Sequence, residues 1–550
     1  MAAVLAMVFS PVAAHAAPAD LTAIPAAVPC SALLKADLSA IGGSGSKVNS
    51  AEETTSDGIA VCNVKGALAP KINFQVLLPV KTWTQRYLQV GCGGLCGMIT
   101  LRSGASSGCT PLTNGEFVMA ATDMGHSDPS GAWGLDEQQR NDFAYRAQHL
   151  TAEAAKALIA AYYGQDPRYS YFNGCSDGGR EAVMEAMRFP DDFNGIIAGA
   201  PAMLFQVQNT LHHGWLARSN YDADGQVILT SKLLPLIHQA VLDACDANDG
   251  LVDGLIAQPA LCQFDPQTLV GKGLTQEQAD ALAKIYAGPH DPQTGAPLTT
   301  GNPLYGSELG WQGVFVADNA DSELFSQKIV EPVMRYLAFE TAVPDAQLSD
   351  LKFTEATLNA LRTRHPLFDA TMTDLSAFQQ DGGKLILWHG LADQHISPAN
   401  TVSFHKGMIR DMGAETVDGF ERLYLLPGVG HCGGGQGPAA LDLLTPMMEW
   451  VETGSAPDGI MTASTDDTST FGQPDGSVGD GGGHPQLADL GVAPLPAMTR
   501  PVYPYPATAE WSGKGEVTDG TTWHKGPAAE IVTLHDWPGA DFFARYTPAD

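Results

Sequence analysis

Short apolar runs and amphipathic stretches take turns along the first two hundred residues. Strand-like runs occupy Ile72 to Pro79, Tyr87 to Val90 and Glu116 to Thr122. From Phe143 to Tyr163, alanines and apolar residues recur at helical spacing and predict a helix. The apolar-aromatic run Tyr169 to Phe172 reads as a strand. Arg180 to Phe189 reads as a helix and Phe193 to Ala198 as a further strand. This alternation predicts a largely parallel sheet covered on both faces, an α/β class fold. After Pro201 the rhythm changes. Residues 205–370 are rich in helix and loop signals, with punctuation such as Gly288-Pro289-His290-Asp291-Pro292, and read as an inserted domain. Strand patterns return at Lys384 to Trp388 and Arg422 to Leu426, with a helix expected from Thr401 to Met412. Ser464 to Pro485 is rich in Gly, Asp, Ser and Thr and reads as a surface loop. The chain carries no internal repeat.

Composition narrows the classes. The chain has 550 residues, 44% hydrophobic and 17% charged, enough for a sizeable core. A net charge of -31 argues against nucleic acid and anionic membrane surfaces, both of which require basic patches. Residues 1–17 are apolar and end in Ala14-His15-Ala16-Ala17, the pattern of a secretory signal and its cleavage site without a basic start. A secreted or periplasmic protein is therefore expected. No other run of about 18 apolar residues appears, so no transmembrane span is expected. Nine cysteines in an exported chain imply disulfides, and the odd number leaves at least one thiol unpaired or bridging chains. Cys92 and Cys96 lack the second pair that a zinc site of this kind needs.

One motif carries chemistry. Gly174-Cys175-Ser176-Asp177-Gly178 follows a predicted strand and precedes a predicted helix, the nucleophile-elbow arrangement of α/β-hydrolases. A serine nucleophile needs a base and a group that orients the base, in the chain order Ser, Asp or Glu, His. Asp393 lies just past the Lys384–Trp388 strand. His431 lies in the glycine-rich loop past the Arg422–Leu426 strand. His389, His395 and Asp177 compete for these roles but do not satisfy order and position together. Cys175 precedes the serine and Cys432 follows the histidine. A bond between them would tie nucleophile to base and requires Cα atoms within about 7 Å; the alternative is two buried free thiols.

The set Cys175-Ser176, Asp393 and His431-Cys432 resembles the signature of the tannase and feruloyl esterase family. That family also includes hydrolases of mono(2-hydroxyethyl) terephthalate. Gly93-Gly94-Leu95, Ala121 to His126, Gly382 to Leu387 and Arg500-Pro501-Val502-Tyr503-Pro504-Tyr505-Pro506 add to the likeness, which spans about residues 28 to 525. It implies an α/β-hydrolase core, residues 18–204 and 371–550, with a lid domain at 205–370. It implies a Ser176-His431-Asp393 triad acting through an acyl-enzyme. The oxyanion hole would draw on the backbone amides of Asp177 and of Gly93 or Gly94, with Gly93 favoured. Cys245–Cys262 and Cys30–Cys62 are the implied further disulfides, and Cys109 is expected to pair with Cys92 or Cys96. From acid spacing alone, Cys245 to Leu255 is a solvated acidic turn. The resemblance makes it a structural calcium loop, with Asp246, Asp249 and Asp253 as side-chain ligands and Leu251 and Leu255 as carbonyl ligands. No organic cofactor is expected. A family cysteine pair near the C-terminus is missing, with Tyr503 in one of its places.

The implied activity is hydrolysis of small aromatic acid esters, feruloyl-type first, with tannase-like or terephthalate-ester hydrolysis as alternatives. Trp215, Phe325, Tyr336, Phe339 and Phe368 are candidates for an aryl pocket. A non-catalytic exported binding protein on the same fold is the reading from another class, and a complete Ser/Asp/His set argues against it. A serine carboxypeptidase would need a carboxylate pocket that nothing in the chain marks.

Overall fold

The computed structural model describes residues 17–317, 322–466, 468–471 and 484–549. Most of the signal-like start and residues 467 and 472–483 of the expected surface loop lie outside them.

Nine strands form one sheet: β1 (Lys47–Ser56), β2 (Ile59–Leu68), β3 (Ile72–Pro79), β4 (Arg86–Val90), β5 (Phe117–Thr122), β6 (Tyr169–Cys175), β7 (Gly195–Gly199), β8 (Lys384–Gly390) and β9 (Glu421–Leu426). Their spatial order is β1-β2-β3-β5-β4-β6-β7-β8-β9. The first three strands and β5 pair antiparallel, and from β5 to β9 every pairing is parallel. The parallel strands are buried on both sides, so they read as unbroken apolar runs. Neighbouring residues serve opposite faces: Phe172, Ile196 and Leu385 join one apolar cluster, and Tyr171, Ile197 and Ile386 join the other.

Helices α1 (Ala147–Tyr163) and α2 (Asp177–Arg188) follow β5 and β6. The chain then leaves the sheet after β7 for residues 200–383. This insertion carries α3 (Leu234–Cys245), α4 (Gln276–Ala287) and α5 (Phe325–Pro332) among many short turns. It has an apolar cluster of its own, with Ile237, Val241, Leu282, Trp311 and Phe315 fully buried. Helix α6 (Pro398–Met412) joins β8 to β9, and α7 (Leu444–Thr453) follows β9 and packs on β7 and β8. No described helix is long and apolar enough to cross a membrane.

Several expectations change in detail. The helix expected from Phe143 opens instead with a wide π turn, Asp142–Arg146, before α1 begins. Helix α2 starts directly after Ser176 rather than at Arg180. Two small antiparallel pairs near the C-terminus, Ile460–Ala463 with Thr499–Val502 and Ala507–Trp511 with Trp523–Ala528, were not foreseen. Cys109 does not pair with either nearby cysteine. Cys92 and Cys96 bond to each other, and Cys109 is a buried free thiol. The four-residue spacing lets the tight turn close on itself. Cys109 lies with Phe117 and Tyr171 in an apolar cluster.

Candidate active site

Ser176 sits where β6 turns into α2, with φ 65° and ψ -122°. A non-glycine residue at positive φ is strained, and the surrounding packing has to hold it there. The glycines explain how. A Cβ on Gly174 would meet the Gly178 carbonyl oxygen at 2.3 Å, and one on Gly178 would meet Gly91 and the Cys92 oxygen within 2.9 Å. Bare backbone therefore lets the elbow and the Gly91–Gly97 loop press together. The Ser176 amide donates to the Gly199 carbonyl at 3.0 Å, anchoring the elbow to β7. Ser176 stays partly accessible.

The two loops past β8 and β9 meet over this point. Asp393 Oδ2 lies 2.7 Å from His431 Nδ1, and both residues are about 1% exposed. With Nδ1–H given to the carboxylate, Nε2 is the basic nitrogen of His431. Asp393 is held by more than this contact. Its Oδ1 accepts the amides of His395 and Ile396, each at 2.8 Å, and its Oδ2 also accepts His389 Nε2–H at 3.0 Å. Burial alone would push this carboxyl up. The nearby His431 and the hydrogen bonds from His389 and His431 outweigh burial and hold it far below the usual carboxylate range. His389 is thus a support for the acid rather than a rival of His431. The Gln394 side chain accepts the His431 amide at 3.2 Å and donates to the Phe471 carbonyl.

A disulfide joins Cys175 to Cys432, Cα to Cα 5.9 Å, between the residue before the serine and the residue after the histidine. Cys30–Cys62 and Cys245–Cys262 are also joined. Asp177 opens α2 with its side chain turned inward onto fully buried Arg180, 2.7 Å and 3.0 Å away. Its backbone amide belongs to the first turn, where no helical carbonyl is available to accept it. Gly93 lies in the turn closed by Cys92–Cys96, its carbonyl accepting the Cys96 amide at 3.0 Å.

Of the five aromatic candidates, Phe325 alone reaches this region through the ring contacts around the site. Its ring meets His395 edge-on at 4.4 Å, and the His395 ring lies 4.8 Å from that of His431. Phe471, which sequence reasoning missed, completes the wall at 4.9 Å from His395. Burial and the neighbouring His431 bring His395 down to about 3, so its ring is neutral. Trp215 packs on Phe353 and donates to the Lys284 carbonyl. Phe368 stacks on Phe205 in the core and meets Phe143 at a tilt. Tyr336 and Phe339 pack against that same core.

In the loop after α3, Asp246 accepts the Asp253 and Gly254 amides, and Asp249 accepts the Leu251 amide at 3.0 Å. Asp253 accepts the Leu255 amide and pairs with Arg500. The Leu251 and Leu255 carbonyls share the loop. Burial, with the charge of Asp253, raises Asp249 to about 6.

A nine-stranded, mostly parallel sheet with a serine elbow after one strand and an acid–histidine pair on two later strand-end loops is the architecture of an α/β-hydrolase. The sequence profile described as "Tannase and feruloyl esterase" matches residues 56–525. A mono(2-hydroxyethyl) terephthalate hydrolase of Piscinibacter sakaiensis is 30% identical over 528 residues, covering 83% of each chain. A probable feruloyl esterase of Arthroderma benhamiae is 31% identical over 457 residues, covering 75% of this chain and 80% of the relative. Feruloyl esterase B from Aspergillus oryzae superposes with a TM-score of 0.74 at 23% identity, over 90% of this chain and 100% of its own, a likeness of fold. The chain belongs to the tannase and feruloyl esterase family and is a carboxylic-ester hydrolase.

Proposed function

We propose that the protein hydrolyses esters of small aromatic acids, feruloyl-type esters first, with Ser176 as nucleophile. What carries the reading is the 2.7 Å Asp393–His431 contact beside the Cys175–Cys432 bridge. His431 Nε2 takes the Ser176 proton as Oγ attacks the ester carbonyl. The amides of Asp177 and Gly93 receive the oxyanion. The alcohol leaves with the proton from His431, and water, activated by the same nitrogen, releases the acid. Asp393 fixes the tautomer and balances the imidazolium. Phe325, Phe471 and neutral His395 suit the flat, weakly polar surface of an aryl ester. Terephthalate monoesters are the second reading, favoured by the similarity to the Piscinibacter enzyme.

Two further features belong to the proposal. The four disulfides among the described residues favour an oxidising, secreted or periplasmic setting. The loop after α3 would hold a structural calcium ion. Asp246, Asp249 and Asp253 supply carboxylates within eight residues, and Leu251 and Leu255 supply carbonyls, a hard-oxygen donor set of the kind calcium takes.

Methyl ferulate, methyl gallate and mono(2-hydroxyethyl) terephthalate, offered to the wild type and to Ser176→Ala, test the reading. Turnover that vanishes in the variant is expected, and the preferred ester names the acyl specificity. Wild-type turnover by Ser176→Ala would overturn it.

A further inference from the structure

Glu181 lies one turn beyond Asp177 on α2, directly under the Gly91–Gly97 loop, and is 1% exposed. No step of the chemistry above uses it. Its Oε2 accepts the Cys92 amide at 3.2 Å and the Gln148 side-chain amide. The direction of that second bond is fixed from behind. Gln89 donates to the Gln148 side-chain oxygen, which leaves the Gln148 nitrogen to face Glu181, and Tyr87 donates to Gln89 in turn. On its other side, Glu181 Oε1 lies 2.8 Å from Cys92 Sγ and 3.2 Å from Cys96 Sγ. Those sulfurs are bonded to each other and carry no hydrogen. A contact this short between an oxygen and a disulfide sulfur is a hydrogen bond only if the oxygen donates.

We infer that Glu181 is a neutral carboxylic acid that positions the oxyanion-binding turn, its O–H donated to the Cys92–Cys96 disulfide and its carbonyl oxygen accepting the Cys92 amide. Cys92 and Cys96 are the two ends of the turn that presents Gly93, so one side chain holds both ends. The inference rests on the assignment of Gly93 as an oxyanion donor. Neutrality has a second cause in the surroundings. The charged and titratable groups around Glu181 are Asp177, Arg180 and Glu185, all on its own helix; Arg180 is already occupied by Asp177, and Glu185 is a further buried acid. Burial and the Asp177 charge both raise the Glu181 carboxyl well above its usual range. An ionised Glu181 would also place a buried negative charge beneath the site where the oxyanion develops.

The test compares Glu181→Gln with Glu181→Ala in the full-length protein on the ester that the wild type prefers. Glutamine reproduces a neutral donor and acceptor, so kcat should stay within about threefold and the alkaline limb of the pH profile should not move. Alanine should lower kcat by about 10²-fold with KM changed by less than about threefold, since a misplaced oxyanion donor acts on the transition state. Infrared difference spectra of wild type against Glu181→Gln should show a protonated-carboxyl stretch that the variant lacks. Wild-type kcat in Glu181→Ala, equal damage in both variants, or absence of that band would each overturn the inference. The band and the glutamine variant decide it even if the alanine variant fails to fold. Retained activity in Ser176→Ala would strike the nucleophile assignment instead, and the two failures are distinguishable.

Discussion

Two aspartates withdrawn from solvent to different degrees, Asp393 past β8 and Asp249 past α3, meet opposite fates. Asp393 is completely enclosed, yet two backbone amides and two imidazoles surround it and hold its carboxyl well below the usual carboxylate range. Asp249 is only partly buried, accepts one amide, and sits among acids; its carboxyl rises to about 6. Burial pushes both carboxyls up, so burial alone does not decide the charge of an acid. The balance between burial and the donors and charges aimed at the carboxyl does. The enclosed acid has been given its partners by the fold, whereas the half-enclosed one has a single amide donor and acidic neighbours.

The sharpest way to break this contrast is Asp393→Asn. The amide cannot hold His431 in the required tautomer, and kcat should fall by about 10⁴-fold with the fold intact; steady-state kinetics with circular dichroism checks it. Next, saturating calcium at about 100 times its Kd should stabilise the wild type by about 2.7 kcal/mol, read as a rise in Tm over a chelated sample. Asp249→Asn should lose that rise while leaving kcat on a small ester unchanged. The smallest effect concerns pH. Burial lowers His126 and His212 to about 4 and His395 to about 3. Each folded-state value lies below the unfolded value of about 6.5, so the unfolded chain binds more protons between those limits. Stability should fall as pH drops through that window, by about 1–2 kcal/mol between pH 7 and pH 6. Urea midpoints at the two pH values measure it, and an unchanged midpoint would mean these rings are protonated in the fold.

The parallel strands were legible because burial on both faces leaves continuous apolar runs such as Lys384 to Trp388 and Arg422 to Leu426. The β1–β2 hairpin was not. Its outer strand, at the sheet edge, carries Glu52, Glu53, Thr54 and Thr55 toward solvent, and its apolar signal is too sparse to read. Ser176, Asp393 and His431 could be named because a strand end and a chain order constrain each of them. Glu181, Gln148 and Phe471 could not. Glu181 sits in what reads as an ordinary helix, and its role arises from a loop ninety residues upstream. Only Gln394, next to Asp393, stood where a careful reading could have found it. The cysteines show the same limit: spacing did not reveal that Cys92 would choose Cys96 over Cys109, because the turn that decides it is a backbone conformation.

The Cys175–Cys432 bridge closes a covalent ring between cysteines 257 positions apart in sequence, and the whole insertion lies within that ring. A protease that nicks the insertion therefore cannot release the half of the protein bearing the serine from the half bearing the histidine. Such a cut would pass unseen on a non-reducing gel and appear as two fragments once thiol is added. Clipping of the most loop-rich region would therefore leave the two halves of the site covalently joined.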